Sequence, residues 1–329
     1  MRTLIFAAAI WAALTQWVSA GCTLTLVGEF TVDTSHARAI TTGQIDGKPI
    51  RILIDTGTAS SFMQSSAAQR LGLGLVSVQS VHVYGVGGEA KVQATTIHHL
   101  QIGTLYANDF TPFVVGGNGE QSADAPEFVL GDDLFSNFDT EFDLAHGKIR
   151  LFHAQGCKIE QVPYWTHTFS LADLEGWERR QPQIKSRVLV NGRPITAMLD
   201  TGAQLSTISK PAAERAGVTP WVAHSAPVGR ATGIGGEQVS DWVGTFDTFS
   251  IGDETIGHVP LTIADMFGAD KVAEVGSRLS RSIDNLPTML VGIDFFMAHR
   301  MLVMPQQRKM VFTYNGGPVF RTKVDNPAK

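Results

Sequence analysis

Ile52-Leu53-Ile54-Asp55-Thr56-Gly57-Thr58 stands in the first half of this 329-residue chain, and Ala197-Met198-Leu199-Asp200-Thr201-Gly202-Ala203 stands in the second. A short apolar run ending in Asp-Thr-Gly reads as a buried strand that delivers a carboxylate at its mouth, with glycine permitting a tight turn. Sequence on both sides repeats with it. Asp46-Gly47-Lys48-Pro49-Ile50 precedes the first copy and Asn191-Gly192-Arg193-Pro194-Ile195 the second. Asp-Gly and Asn-Gly are hairpin turns that accept positive φ. Beyond each Asp-Thr-Gly come Ser61 or Ser206, then Ala67 to Gly72 or Ala212 to Gly217, a short helix closed by glycine.

The two copies stay matched further on. Tyr84-Gly85-Val86-Gly87-Gly88 corresponds to Thr232-Gly233-Ile234-Gly235-Gly236, and Val129 to Phe135 corresponds to Leu290 to Phe296. Closing strands are expected at Lys148 to Phe152 and Lys309 to Thr313. Strands of four to seven residues between Gly and Asx turns, written twice, describe an all-β chain of two barrel-like domains with short helices. The units are placed at 28–154 and 184–316, with a linker at 155–183 and a tail at 317–329. That linker is read either as bare chain or as strands joining the halves, with a helical turn expected at Leu171 to Arg179. An insertion at Ala264 to Asn285 has a helical rhythm and either covers one end of a cleft or pads the surface.

Residues 1–20 have the form of an export signal: Met1-Arg2, an apolar run from Leu4 to Val18, and small residues before Gly21. The expected location is therefore periplasmic or secreted. Cys22 has two mutually exclusive uses, a lipid anchor or a disulfide with Cys157, the other of the chain's 2 cysteines. Lys+Arg 26 against Asp+Glu 31, a net charge of -5, gives no electrostatic basis for binding nucleic acid. No cofactor is expected, since two distant cysteines without a His cluster make no metal site.

Two carboxylates that share one proton can run acid and base chemistry on a single water: the ionised member takes a proton from it, the protonated member donates to a carbonyl oxygen. Asp55 and Asp200 are the expected pair. Gly57 and Gly202 let backbone N–H groups approach the carboxylates, and Thr56 and Thr201 can hydrogen-bond across the junction. Thr58 can donate its hydroxyl to Asp55, whereas its counterpart Ala203 cannot. On that basis Asp200 is the expected proton holder. Tyr84 to Gly88 and Gly233 to Gly236 read as mobile hairpin tips over a bound chain, with Tyr84 a hydrogen-bonding candidate. Asp133 and Asp294 read as helix N-caps, and His98-His99 as an exposed strand end.

With these motifs the chain resembles the retropepsin-like aspartic peptidases and, more distantly, the two-lobed pepsins. The family pattern of apolar strand, Asp-Thr-Gly-Ala/Ser/Thr, glycine-rich flap and apolar-apolar-Gly is met twice. The resemblance implies an endopeptidase that binds an extended polypeptide under flaps. It also implies two domains related by pseudo-twofold symmetry, and a monomer acting as an intramolecular pseudo-dimer, with a homodimer as the alternative. Rival readings are a noncatalytic peptide-binding scaffold that keeps the fold, and a metal-dependent hydrolase.

Overall fold

The computed structural model describes residues 16–19, 21–78, 83–85, 88–90, 92–116, 125–176, 182–219, 229–232, 238–264 and 288–323. Both hairpins opened by Asx-Gly form. Asp46 and Gly47 have φ of 48° and 77°, and Asn191 and Gly192 have 49° and 73°. The first pair reverses Ile40–Ile45 into Lys48–Ile54, and the second reverses Lys185–Val190 into Arg193–Leu199. Each outgoing strand then runs parallel to a strand from far along the chain: Lys48–Ile54 beside Phe128–Leu130, and Arg193–Leu199 beside Met289–Val291. The parallel neighbour anchors the strand end. Leu130 O accepts the N–H of Asp55 at 3.0 Å, and Val291 O that of Asp200 at 2.8 Å.

The sheets are arranged by half. Nine strands of the first half form one sheet. Seven of the second form another, in which Lys185–Val190 pairs on both sides and closes the turn of the sheet. A further seven-stranded sheet draws on both halves, in the order Gln16–Ser19, Cys22–Thr31, Lys148–Gln155, Asp139–Asp143, His299–Met304, Lys309–Tyr314 and Ser170–Asp173. Its central pair joins the halves directly, with Phe142 opposite Met301. Above it the Phe142 ring meets Phe135 at 5.9 Å and Phe296 at 5.4 Å, so the apolar core is continuous across the junction.

Charge is also buried here. Glu141, fully buried on the central strand, pairs with Arg150 from one half and with Arg300 from the other at 2.9 Å, and accepts from Tyr164 Oη at 2.7 Å. Arg300 lies 4.4 Å from the Trp165 ring centre. Two cations and a phenol satisfy one buried carboxylate, with Glu29 and Asp143 as further partners of the arginines, which makes Glu141 an electrostatic rivet between the halves.

Helices form at Ser65–Leu71, with Gly72 left-handed at its end, and at Lys210–Arg215. The expected helical turn from Leu171 does not form. Ser170–Asp173 is instead a strand paired with Lys309–Tyr314, because Leu171 and Ala172 pack under the shared sheet and its edge offers hydrogen bonds. The segment between the halves thus includes a joining strand. Cys22 and Cys157 form a disulfide, which takes the sulfur a lipid would need. No described helix is long and apolar enough to cross a membrane. Most of the signal segment, both flap tips and nearly all of the insertion lie outside the described residues.

Candidate active site

Asp55 and Asp200 emerge from the two parallel-anchored strand ends and meet at the junction. A hydrogen bond links their carboxyls. Asp200 is buried and Asp55 is partly exposed at the floor of the site. The approach is close enough to exclude any side chain beside it: a methyl group on Gly57 would collide with the Asp200 carboxyl, and one on Gly202 with that of Asp55. Each glycine is therefore required by the other half's aspartate.

The threonines between them lock the arrangement. Thr56 N–H donates to Thr201 Oγ1 and Thr201 N–H to Thr56 Oγ1, both at 3.1 Å. Each hydroxyl then donates onward across the junction at 2.8 Å, Thr56 to Leu199 O and Thr201 to Ile54 O. Both threonines are wholly buried. Every polar atom of the two hydroxyls is thereby used, in the place where an unpaired group costs most.

Burial pushes both aspartates up, and the charge of Asp200 pushes Asp55 well above the usual carboxylate range. The backbone decides which one keeps the proton. Asp200 receives Gly202 N–H at 2.8 Å, Ala203 N–H at 3.1 Å and a contribution from Gly57 N–H. Asp55 receives Gly57 N–H at 2.9 Å and Thr58 N–H. Two N–H bonds of 3.1 Å or less reach the Asp200 carboxyl and one reaches that of Asp55, which favours the anion on Asp200 and the proton on Asp55. This reverses the sequence expectation, which relied on the Thr58 hydroxyl; that hydroxyl instead donates to Ser60 O at 3.0 Å, within its own loop.

Asp133 and Asp294 are not N-caps; Gly131 and Gly292 occupy those positions. Asp133 accepts Ser61 Oγ at 2.6 Å and Ser61 N–H at 2.8 Å, and Ser61 Oγ accepts Gly131 N–H at 2.9 Å. Asp294, Ser206 and Gly292 repeat the latch, again with a 2.6 Å hydroxyl bond. Each latch fixes the loop leaving the dyad to the short helix behind it. The signal for it was the serine six positions after each Asp; its partner lies 72 or 88 residues away in sequence.

Of the flap residues, Tyr84 stands opposite Glu89 and Gly85 opposite Gly88 in a two-stranded hairpin. In the second half, Gly229–Thr232 pairs with Gln238–Ile251 up to Thr232 and Gln238. Val86, Gly87, Gly233, Ile234, Gly235 and Gly236 lie outside the described residues. His98 is exposed on a strand and pairs with Asp109 across it at 3.0 Å.

Two family models match the chain, one per half. An aspartyl protease model covers residues 186–295, and a gag-polyprotein putative aspartyl protease model covers residues 41–137. Among solved structures, a retropepsin-like aspartic protease from Rickettsia conorii is similar at 17% identity with a TM-score of 0.28, over 41% of this chain and 95% of that one. No curated protein matches.

Thr56→Val keeps the shape of the side chain but leaves Leu199 O and Thr201 N–H without it. A loss of about 2–4 kcal/mol in unfolding free energy is expected, against less than about 1 kcal/mol for Thr56→Ser. Urea unfolding of the two variants measures the difference, and equal stabilities would show that the cross-junction bonds contribute little.

Proposed function

The chain belongs to the retropepsin-like aspartic peptidase family, and from that premise we propose that it is an endopeptidase whose Asp55 and Asp200 hydrolyse peptide bonds of polypeptide substrates. One water sits between the carboxyls and the scissile amide. Asp200, the anion with more N–H bonds, takes a proton from this water as its oxygen attacks the carbonyl carbon. Asp55 gives its proton to the carbonyl oxygen, so that no oxyanion has to survive unprotonated. As the C–N bond of the tetrahedral diol breaks, Asp200 passes its proton to the departing nitrogen and one diol hydroxyl returns its proton to Asp55 as the carbonyl re-forms, so the pair again holds one proton.

What supports this reading is the meeting of two buried carboxyls from repeated halves, with unequal sets of N–H donors, in a single chain. The pairing makes one molecule a complete unit, so a monomer suffices and a homodimer is not required. The hairpin that carries Tyr84 is the natural cover for an extended substrate. We further infer that the chain is exported and cut after Ala20, which would remove the edge strand Gln16–Ser19 and start the protein one residue before the disulfide. N-terminal sequencing of protein recovered from outside the cytoplasm is expected to begin at Gly21; retention of residue 1 would contradict it.

Asp55→Asn and Asp200→Asn are each expected to lower kcat/KM on a peptide library by about 10³-fold or more, while a chelator leaves the wild type unchanged. Cleavage at the wild-type rate by either variant would refute the shared mechanism, and loss of activity with the chelator would point to a metal enzyme.

A further inference from the structure

Asp132 adjoins the latch residue Asp133 but takes no part in the latch. Its N–H donates to Thr58 O at 2.9 Å, in the loop that leaves Asp55. Its carboxyl is 1% exposed. Oδ2 accepts Ile184 N–H at 3.2 Å, where the chain enters the second half, and the adjacent Gln183 reaches Gly57 O through Nε2 at 3.1 Å. Asp132 is thus tied to the dyad loop through its own backbone and through its neighbour's side chain.

The other oxygen, Oδ1, has no hydrogen-bond partner among the described residues, and neither has the buried Thr140 Oγ1. Both residues line one cavity, with about 10 Å³ of room for the centre of a water molecule. That is about the space a single water needs, and two polar partners are the minimum that holds one. The position equivalent to Asp132 in the second half is Ile293, so this carboxyl stands behind only one side of the pair.

We propose that Asp132 is a third carboxyl of the active centre: a positioning residue, held to Thr140 through one bound water, whose charge governs the pH at which Asp55 and Asp200 release their last proton. This rests on the dyad reading given above. The charged groups that bear most on Asp132 are Asp55, Asp133 and Asp200, and among the described residues no other residue lining its cavity carries a charge. Burial pushes Asp132 well above the usual carboxylate range, and these neighbours push the same way. In acid it is neutral. Once ionised it adds a negative charge beside the dyad, and that charge keeps the proton on Asp55 to higher pH.

The test is an NMR titration of the full-length protein labelled at the aspartate carboxyl carbons, in the wild type, Asp132→Asn, Asp55→Asn and Thr140→Val. Asparagine keeps an oxygen for Ile184 N–H and an amide for the water. Coupling is mutual, so the shift is read on whichever group ionises last. Either the last step of the pair moves to lower pH in Asp132→Asn, or the Asp132 step moves to lower pH in Asp55→Asn. The alkaline limb of kcat/KM is expected to move the same way in Asp132→Asn. Thr140→Val takes a partner from the water and is expected to raise the pH at which Asp132 ionises; an unchanged Asp132 step there overturns the water bridge.

Unmoved carboxyl steps in both aspartate variants, or a uniform loss of rate with an unchanged pH profile in Asp132→Asn, would overturn the proposal. The two readings fail separately. A wild type that cleaves no peptide while the aspartates still titrate together refutes the peptidase, and an active wild type with independent titrations refutes only the role of Asp132.

Discussion

The reciprocal bonds between Thr56 and Thr201 are the constraint on which the site depends. Like charges a few ångströms apart repel, and two separate barrels would relieve that repulsion by parting. The four buried hydrogen bonds of this pair run from one half to the other and leave no slack, because each hydroxyl both accepts and donates. The repulsion therefore has to be relieved chemically, by retaining a proton. A shared proton is thus a consequence of how the halves are joined, and the proposed acid–base chemistry would follow from the junction.

The rest of the molecule supports that junction in layers. The Ser61–Asp133 and Ser206–Asp294 latches hold the loops from behind. Below them the shared sheet and the Phe142 contacts fix the distance between halves, and Glu141 draws an arginine from each side. Near the dyad the repeat departs from symmetry at Thr58, which corresponds to Ala203, and at Asp132, which corresponds to Ile293. These differences fall on the Asp55 side, and in the proposed mechanism they give the two carboxyls different tasks although their halves share one design.

The parts of this architecture that were legible in the sequence are those whose cause is local. Asp46-Gly47 and Asn191-Gly192 announce hairpins because few other pairs tolerate their backbone angles, and the doubled Asp-Thr-Gly announces the dyad because the repeat is so closely in step. The readings that failed concern partners distant in sequence. A hydroxyl next to a carboxylate looks like its donor, yet Thr58 donates to Ser60 O in its own loop. Leu171 and Ala172 suit a helix by composition, but the edge of a sheet built by both halves captured them. Asp132 and Asp133 are indistinguishable as a doublet; one reaches a serine 72 residues back while the other is sealed beside a water-sized cavity. Only burial separates them.

Neutron diffraction from a deuterated crystal of the protein would examine the junction directly. One deuteron between the two carboxyls, bonded to Asp55 and pointing at Asp200, is the expected density. Carboxyl oxygens more than about 4 Å apart, each hydrated separately, would contradict the account, as would a deuteron bonded to Asp200.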